Sequence, residues 1–406
     1  MSTLTVVGGV YRERCRLPVR SDDFWGSGGR AAAVISGLGL EVTLHCPVDD
    51  RTRAMLASLA EAFKFETVET PVEVCPEFRY DHGLSAPVIW PPVLPEIAQI
   101  SVSSENVLVF GMLEGRCSIR GKHIVYDPQN PISPEPIRLE TKPSRLAYVL
   151  NSAEAEKLVG RHGPSESADR IAKEFGATAV VIKQGPRGAW VYENGKGQQV
   201  SAYRTNSVWP IGSGDVFAAV FATRWTGQSY SALDAAIHAS RAAALYCDRR
   251  VLPIVQKDIE LSNPFPFREL ALRDHAPGPN EFHVYLAGPF FTISQRWLVE
   301  ESFAALRAMR LKVFSPLHEV GLGAADFVAP KDIEGLRRSR VVLALVDGLD
   351  AGTVFEIGFA RSLDKPVVAL SETTGEEPLK MLVGTGCEMV SDFVSALYRV
   401  AWAAQE

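Results

Sequence analysis

The C-terminal part of the chain alternates short apolar runs with longer stretches in which apolar residues recur at helical spacing. The apolar runs cover residues 284–287, 341–346 and 366–370. A strand that is apolar throughout is buried on both faces, and helices between such strands indicate a parallel sheet. The pattern therefore predicts an α/β unit with helices on both faces of a parallel sheet, closed by a helix over 390–404.

The N-terminal part is longer and also mixes predicted strands with predicted helices. The predicted strands are 4–7, 42–46, 107–110, 124–126, 147–150, 179–182 and 189–192, and the predicted helices are 30–38, 51–63, 214–225 and 231–246. Residues 66–100 alternate in polarity and are rich in proline, which predicts a flap of short strands outside the core.

The length of the chain favours two domains, because 406 residues exceed what one ordinary core holds. The clearest boundary is the segment 275–280, His-Ala-Pro-Gly-Pro-Asn, which lies between a charged stretch and a new apolar strand. We therefore predict a first domain over 1–275 and a second over 281–406.

Composition excludes several classes of protein. Hydrophobic residues make up 46% of the chain, yet no apolar run reaches the roughly 18 residues of a membrane-spanning helix, and the N-terminus lacks the pattern of a signal peptide. The six cysteines are scattered, as expected for reduced cytosolic thiols rather than a metal site. The net charge of −6, without a basic run, argues against nucleic acid as a partner. We expect a cytoplasmic protein that acts on small molecules, without membrane or nucleic-acid partners.

Two carboxylates give the C-terminal part its candidate chemistry. Asp350 and Glu356 lie on either side of a glycine-containing turn that follows the strand 341–346. Open α/β sheets bind ligands at the carboxyl ends of their strands. Cleavage of a glycosidic bond needs such a pair, one carboxylate to attack carbon and one to handle a proton.

Residues 282–370 resemble the nucleoside 2-deoxyribosyltransferases and related nucleotide N-glycosidases. The resemblance is carried by the sequence Val-Tyr-Leu-Ala-Gly-Pro-Phe-Phe at 284–291, by Asp332 before the second strand, and by the six-residue step from Asp350 to Glu356. It implies a flavodoxin/Rossmann-like doubly wound parallel sheet, no cofactor, and a homo-oligomer whose subunits can complete one another's sites.

The resemblance also implies a role for each side chain. Glu356 would be the nucleophile that attacks C1′ and releases the base, and water or a second base would resolve the covalent intermediate. Asp350 would handle the proton of the base or bind its edge, and Asp332 would bind the sugar hydroxyls or assist the base. Tyr285 would orient Glu356 by a hydrogen bond.

The resemblance also implies that residues 288–291, which directly follow the predicted strand 284–287, form the substrate pocket. Gly288 and Pro289 would let the backbone approach the sugar closely, and Phe290 and Phe291 would stack on the base.

Each of the four catalytic candidates also has a purely structural interpretation. Glu356 could interact only with the helix dipole, and Asp350 could be a plain N-cap. Asp332 could be a solvated helix residue, and Tyr285 a core tyrosine.

A second motif, Gly212-Ser213-Gly214-Asp215, opens a predicted helix in the N-terminal part. Glycines before a helix leave backbone N–H groups free to face an anion, and the helix dipole adds to this. An aspartate in the first turn can accept the proton of a substrate hydroxyl during phosphoryl transfer.

This motif resembles the G-A-G-D signature of the ribokinase-like (PfkB) sugar and nucleoside kinases, and supporting pieces lie in order over residues 1–275. They are Gly28 and Gly29 before a helix, Asn151 and Glu154 in an N-x-x-E motif, and the predicted strand–turn–strand at 183–189. The resemblance implies a ribokinase-like α/β sandwich with a small β flap.

Roles follow from this resemblance as well. Asp215 would be the catalytic base, Gly212, Ser213 and Gly214 the anion hole, and Gly28 and Gly29 part of the substrate site. Asn151 and Glu154 would be linked to the phosphates of ATP and to Mg²⁺, and no metal site independent of ATP is expected. The alternative for Asn151 and Glu154 is a capping pair on the following helix, and for Gly212–Asp215 an ordinary cap.

The N-terminal part departs from the PfkB pattern at three places. Trp209 stands where an acidic or amide residue is usual, and Ala33 stands where many members carry a sugar-binding asparagine. The early sugar-binding aspartate is replaced by the segment 10–13, Val-Tyr-Arg-Glu. Either the acceptor is unusual, or this domain binds a ligand without turning it over.

Together the two motifs lead to two main hypotheses. The first is a bifunctional nucleoside-metabolism enzyme in which one half makes or breaks an N-glycosidic bond and the other phosphorylates a sugar or nucleoside. The second is a regulatory or defence protein in which a ligand-sensing pseudokinase controls a nucleotide N-glycosidase. A third alternative is a pair of scaffold domains without turnover.

Overall fold

The computed structural model describes residues 3–94, 99–130, 133–227, 230–272 and 278–406. The predicted linker 275–280 therefore lies partly outside the described residues. The chain divides into two compact units.

The first unit comprises Met1–Glu269. Its strands are β1 (Thr3–Val7), β2 (Arg12–Cys15), β3 (Ser21–Phe24), β4 (Glu41–Val48), β5 (Glu66–Pro71), β6 (Glu77–Tyr80), β7 (Val88–Trp90), β8 (Gln99–Ser103), β9 (Asn106–Phe110), β10 (Arg116–Arg120), β11 (His123–Asp127), β12 (Arg145–Asn151), β13 (Ala179–Lys183), β14 (Ala189–Glu193), β15 (Lys196–Val200), β16 (Tyr203–Arg204) and β17 (Arg268–Glu269). Its α-helices are α1 (Gly26–Gly37), α2 (Asp50–Phe63), α3 (Ser152–Val159), α4 (Pro164–Phe175), α5 (Ser213–Ala222), α6 (Ala232–Arg249) and α7 (Gln256–Ile259). A 3₁₀ turn covers Gly185–Arg187, and α5 continues into a π-helical segment, Thr223–Gly227.

A nine-stranded sheet in the order β15-β14-β13-β12-β11-β9-β1-β4-β5 organises this unit. The seven strands from β13 to β5 run parallel, and β14 and β15 pair antiparallel at one edge. Apolar side chains fill both faces: α1, α5 and α6 pack on one side of the sheet, and α3 and α4 on the other. The carboxyl ends of the parallel strands therefore meet at one edge, where α1 and α5 begin.

A small four-stranded sheet, in the order β3-β2-β6-β7, forms the predicted flap. One detail of the prediction for residues 66–100 is wrong. β5 belongs to the large sheet and not to the flap. Its residues 66–71 pair in parallel register with residues 43–48 of β4. The polar segment that holds β2 and β3 forms strands because β2 pairs antiparallel with β3 on one side and parallel with β6 on the other.

Helix α1 begins at Gly26, four residues before the predicted start. Gly26 has a φ of +62°, which glycine adopts without strain. Gly28 then packs so closely on the end of β1 that an added Cβ would lie 2.6 Å from the carbonyl oxygen of Gly8. The glycines therefore bring α1 directly against the sheet.

The second unit comprises Leu270–Glu406. Its strands are β18 (Phe282–Ala287), β19 (Val313–Phe314), β20 (Ser339–Leu345), β21 (Val367–Leu370) and β22 (Glu388–Val390). Its helices are α8 (Ile293–Ala308), α9 (Pro316–Glu319), α10 (Ala325–Arg337), α11 (Ala351–Ser362), α12 (Glu376–Gly384) and α13 (Phe393–Ala403).

All five strands of this unit are parallel, in the order β19-β18-β20-β21-β22. This is the flavodoxin-like order 2-1-3-4-5, whose topological switch point lies between β18 and β20. The helix predicted over 390–404 is too long, because Glu388–Val390 pairs with β21 and Asp392 caps a helix that starts at Phe393. The α/β class and the two predicted architectures are confirmed, and no described helix is long and apolar enough to cross a bilayer.

Candidate active sites

The switch point of the second unit brings Tyr285 and Glu356 together. Tyr285 lies on β18, is fully buried, and stacks on Phe314 with ring centroids 5.4 Å apart. Glu356 lies in the second turn of α11, the helix that follows the neighbouring strand β20. The Tyr285 hydroxyl donates a hydrogen bond of 2.5 Å to Glu356 Oε1. The predicted contact between these two residues is thus present.

Burial controls the protonation of Glu356. It raises the pKa of this carboxyl to about 7, and the charges of Asp332 and Asp350 act in the same direction. The hydrogen bond from Tyr285 lowers the pKa and so opposes the shift. A carboxyl in this environment exists in both protonation states near neutral pH.

Asp332 lies on α10 and faces the same cluster. Its Oδ1 atom is buried without a hydrogen-bond partner among the described residues. Burial raises the pKa of this carboxyl as well. Because a buried polar atom without a partner is costly, Asp332 is suited to a polar ligand group.

Asp350 is the N-cap of α11. Its Oδ2 atom accepts hydrogen bonds of 2.9 Å from the Thr353 amide and 3.1 Å from the Thr353 hydroxyl. The preceding residues Gly348 and Leu349 have φ values of +85° and +46°, which turn the chain sharply between β20 and α11. The capping interpretation of Asp350 therefore holds, and its electrostatic effect on Glu356 places it beside the site.

The four predicted pocket residues follow β18. A Cβ added to Gly288 would lie 3.0 Å from the Leu345 side chain, so this position needs a very small residue. Pro289 is buried, Phe290 is half-buried and Phe291 is 72% exposed. The rings of Phe290 and Phe291 are 5.3 Å apart and tilted, and no described contact links them to Glu356.

Asp347, at the end of β20, has a role that the sequence analysis did not assign. Its carboxylate accepts hydrogen bonds of 2.8–3.0 Å from the amides of Glu372, Thr373 and Thr374. These donors lower its pKa, although burial acts in the opposite direction. Asp347 thereby fixes the loop after β21 at the edge that carries the carboxylates. The sequence signal for this role was an aspartate just after one strand and a Ser/Thr-rich segment just after the next strand.

The glycine motif of the first unit opens helix α5. Gly212 is its N-cap with a φ of +80°, and the Ser213 hydroxyl donates a hydrogen bond of 2.8 Å to the carbonyl oxygen of Pro210. Gly214 lies close to Lys183, whose Nζ would be 3.4 Å from an added Cβ. Asp215 follows in the first turn and is 8% exposed.

A buried arginine pairs with Asp215. Arg30 of α1 is 1% exposed, and its Nη1 atom donates a hydrogen bond of 2.6 Å to Asp215 Oδ2. Its Nη2 atom pairs with Glu13 of β2. Gln129 Nε2 donates a hydrogen bond of 2.5 Å to the other oxygen of Asp215. The two donors to Asp215, Arg30 and Gln129, were not predicted from the sequence, because neither adjoins Asp215 along the chain.

Lys183 and the buried Asp127 form a second ion pair near the same helix end. Lys183 Nζ lies 2.5 Å from Asp127 Oδ2, while Asp127 Oδ1 is buried without a partner among the described residues. Burial raises the pKa of Asp127 and Lys183 opposes the shift. Both residues end strands of the large sheet, β11 and β13, which is why they meet at its carboxyl edge.

Asn151 and Glu154 form a capping box on α3. Asn151 Oδ1 accepts hydrogen bonds of 2.9 Å from the amides of Ala153 and Glu154, and Glu154 Oε2 accepts one of 2.8 Å from the Asn151 amide. The capping alternative is therefore present. Glu154 also interacts electrostatically with Lys183, so the box lies near the same cluster.

The predicted substrate side of the first unit holds a cavity of about 290 Å³. Trp209 lines it beneath Arg250, whose guanidinium carbon is 3.5 Å from the ring centroid. Gly28 and Gly29 are buried within α1. Their described close neighbours are Gly8, Leu44, Leu59 and Val10, so their assignment to the substrate site remains a prediction.

Glu114 is a further residue that the sequence analysis missed. It follows β9 and is 2% exposed, and its Oε1 atom has no hydrogen-bond partner in the described part of the chain. Burial raises its pKa to about 7. An added Cβ on Gly9 would lie 2.4 Å from this oxygen. An acidic residue just after a buried strand was the signal in the sequence.

Two family models match the chain. The pfkB family carbohydrate kinase model matches residues 145–251, and the nucleoside 2-deoxyribosyltransferase model matches residues 284–392. The first range includes Gly212 and Asp215, and the second includes Tyr285 and Glu356. Both predicted resemblances are confirmed.

Solved structures similar to the chain include several kinases. A pyrophosphate-dependent kinase of the ribokinase family, complexed with a pyrophosphate analogue and myo-inositol, is 15% identical, with a TM-score of 0.49 and coverage of 62% of this chain and 96% of that chain. Fructokinase from Vibrio cholerae O395, bound to fructose, ADP and calcium, is 16% identical, with a TM-score of 0.49 and coverage of 62% and 94%. A nucleoside kinase from Methanocaldococcus jannaschii is 13% identical, with a TM-score of 0.46 and coverage of 62% and 95%.

The chain thus joins a unit that matches the pfkB family of carbohydrate kinases to a unit that matches the nucleoside 2-deoxyribosyltransferases.

Proposed function

We propose that the second unit cleaves or transfers the N-glycosidic bond of (deoxy)nucleosides or nucleotides, with Glu356 as the nucleophile. The observation that carries this proposal is the hydrogen bond between Tyr285 and Glu356 at the switch point of the sheet. The match to the nucleoside 2-deoxyribosyltransferase family supports it. In the first hypothesis the chain would also phosphorylate a sugar or nucleoside, and would then be a bifunctional nucleoside-metabolism enzyme.

In the proposed reaction, the Glu356 oxygen that is not bonded to Tyr285 attacks C1′. The bond between C1′ and the base nitrogen breaks, and its electron pair stays with the base, which takes up a proton. Water or a second base then attacks C1′, and the bond between C1′ and Glu356 breaks. The attacking group gives its proton to a carboxylate of the protein. Tyr285 holds one carboxylate oxygen in place and stabilises the ionised form.

The two further carboxylates, Asp332 and Asp350, have separate roles in the proposed reaction. The raised pKa and the unpartnered oxygen of Asp332 support a role in giving a proton to the base or binding the sugar hydroxyls. Asp350 keeps its capping bonds to Thr353 and contributes negative charge next to the oxocarbenium-like transition state, or binds the edge of the base. Gly288, Pro289, Phe290 and Phe291 would then contact the sugar and the base.

The test is base release from 2′-deoxynucleosides and 2′-deoxynucleotides. Glu356→Gln should lower the rate at least about a thousandfold, since a covalent nucleophile is lost. Glu376→Gln, at an exposed position in the first turn of α12, is the matched control and should keep the wild-type rate. Full activity of Glu356→Gln would contradict the assignment. The panel also distinguishes hydrolysis from base transfer and shows whether a 5′-phosphate is required.

For the first unit, the match to the pfkB family supports a binding site for a sugar, nucleoside or nucleotide. In the kinase hypothesis Asp215 is the base, and Gly212, Ser213 and Gly214 face the transferred phosphate. Lys183, close to Gly214, suits a phosphate group. Mg²⁺ needs only one or two protein carboxylates besides phosphate oxygens, and Glu154 and Asp127 are the candidates.

The alternative for the first unit is a ligand-sensing pseudokinase. ATP consumption over a panel of nucleosides and pentoses separates the two hypotheses. A pseudokinase shows no turnover, yet its ligand raises the melting temperature, because a ligand that binds only the native state stabilises it. Neither turnover nor a thermal shift, for any member of the panel, would contradict both hypotheses.

A further inference from the structure

We infer that Arg30 occupies the acceptor position of the first unit and holds Asp215 in an ion pair, so that this unit binds its ligand without phosphorylating it. The inference rests on the proposed placement of the transfer site at Gly212–Asp215. It names the residue that decides between the kinase and the pseudokinase.

The position of the guanidinium is the first argument. A Cβ added to Gly212 would lie 2.2 Å from the Arg30 guanidinium carbon, so the group lies directly against the backbone at the start of α5. The start of this helix is where the glycine motif would face a phosphate. Arg30 comes from α1, whose own start is fixed by the glycines packed on β1.

The occupancy of Asp215 is the second argument. A general base must accept a hydrogen bond from the hydroxyl whose proton it takes. Arg30 already donates to one carboxylate oxygen of Asp215 at 2.6 Å, and Gln129 donates to the other at 2.5 Å. An acceptor hydroxyl would therefore have to displace one of these two donors.

The cost of moving Arg30 is the third argument. Glu13, 7% exposed, pairs with the same guanidinium. If Arg30 left, two buried carboxylates would remain without their cation, and removing one partner of a buried ion pair is strongly destabilising. The charges of Glu13, Tyr246 and Asp215 raise the pKa of Arg30, although burial opposes this, so the cation does not leave by deprotonation.

Space for a ligand nevertheless remains beside the ion pair. The cavity of about 290 Å³ is lined by Arg30 itself and by the aromatic side chains of Trp25, Tyr80, Trp209 and Tyr246. Aromatic rings and a guanidinium suit a small ligand with a planar or hydroxylated face. Asp215 is not among the described residues that line this cavity.

The first experiment measures turnover of ATP by the wild-type protein, with Asp215→Asn as its reference. Full-length wild-type protein is incubated with ATP and Mg²⁺, and with ribose, fructose, adenosine, cytidine and their deoxy forms in turn. We expect ATP consumption equal to that of the blank without acceptor. Consumption that depends on an acceptor and disappears in Asp215→Asn would overturn the inference.

The second experiment measures the ion pair by its effect on stability. Asp215→Asn should lower the melting temperature of the full-length protein by at least about 6 °C, because it removes one partner of a buried pair. In the background Glu13→Gln/Arg30→Met, where the cation and its second carboxylate are removed together, the same change should cost less than about 2 °C.

A matched background completes this cycle. Arg14 lines the same cavity but pairs with Asp22 and Glu77. Asp215→Asn should keep its full cost in Arg14→Met. Equal costs in all three backgrounds, or no cost in the wild type, would overturn the inference. Base release measured on the same samples tests only the proposed role of Glu356. If base release fails, the melting temperatures still test the ion pair between Arg30 and Asp215.

Discussion

At the residue scale, the second unit places opposing demands on one carboxyl. Glu356 must be ionised to attack carbon, yet burial favours its neutral form and raises its pKa to about 7. The hydroxyl of Tyr285 donates to the carboxylate and so favours the ionised form. Tyr285 is therefore as important for the charge of Glu356 as for its orientation.

We predict a pH profile that reflects this balance. The rate of base release should rise with pH through a midpoint of about 7, because the ionised fraction of Glu356 increases through its pKa. Tyr285→Phe removes the donor, so the rising limb should move to higher pH and the rate at pH 6 should fall roughly 10- to 100-fold. Tyr398→Phe, on α13 of the same unit, is the control. If the rising limb of the pH–rate profile does not move in Tyr285→Phe, Tyr285 acts through packing alone.

The raised pKa of Glu356 also makes a prediction about stability. The folded pKa of about 7 lies above the unfolded value of 4.5, so the folded state binds more protons in this interval and stability falls as pH rises through it. Glu356→Gln removes this penalty. The variant should exceed the wild type by about 1–3 kcal/mol at pH 8 and by little at pH 4. Urea unfolding at both pH values measures this, and a larger gain at pH 4 would contradict the sign.

At the element scale, the sequence predicted best what depends on local pattern. The runs 284–287 and 341–346 became β18 and β20 because a buried parallel strand is apolar at every position. Of the interpretations offered for Asp350, the N-cap agrees with the observed start of α11 at Ala351. Arg30 could not be assigned in this way, because its bond to Asp215 spans 185 positions and exists only after α1 and α5 pack together.

The two roles of Asp350 can be separated by choice of substitution. Asparagine is as good an N-cap as aspartate but carries no charge, whereas alanine loses the cap at a cost of about 1 kcal/mol. We predict that Asp350→Asn keeps the wild-type stability and loses most of the base release. Asp350→Ala should lose both. Thermal melts and rates on the same preparations measure this, and a fully active Asp350→Asn would leave only the capping role.

At the scale of the whole molecule, the second unit exposes several large apolar side chains. Ile293, Leu322 and Met381 are 91%, 74% and 73% exposed, and Phe355, next to Glu356, is 62% exposed. The homo-oligomer predicted from the sequence would bury such side chains, which a single subunit leaves in water.

We therefore predict a closed homo-oligomer of the full chain in solution. Light scattering at micromolar concentration should give at least twice the mass of one chain, since closed symmetric assemblies are the usual form. Phe355→Asp should lower that mass, and Val93→Asp, at an exposed position of the first unit, should not. An active monomer at the same concentration would contradict the prediction.

The contact between Tyr285 and Glu356 has a consequence for how activity is acquired. These residues are 71 positions apart, and their hydrogen bond forms only once β18 and β20 lie side by side and α11 has docked. Contacts of such sequence separation form late, because the entropy of closing the loop is lost before the contact compensates it. Helical signal in a refolding experiment can therefore return before catalysis does. Recovery of the base-release rate during refolding therefore reports the last stage of folding of this unit.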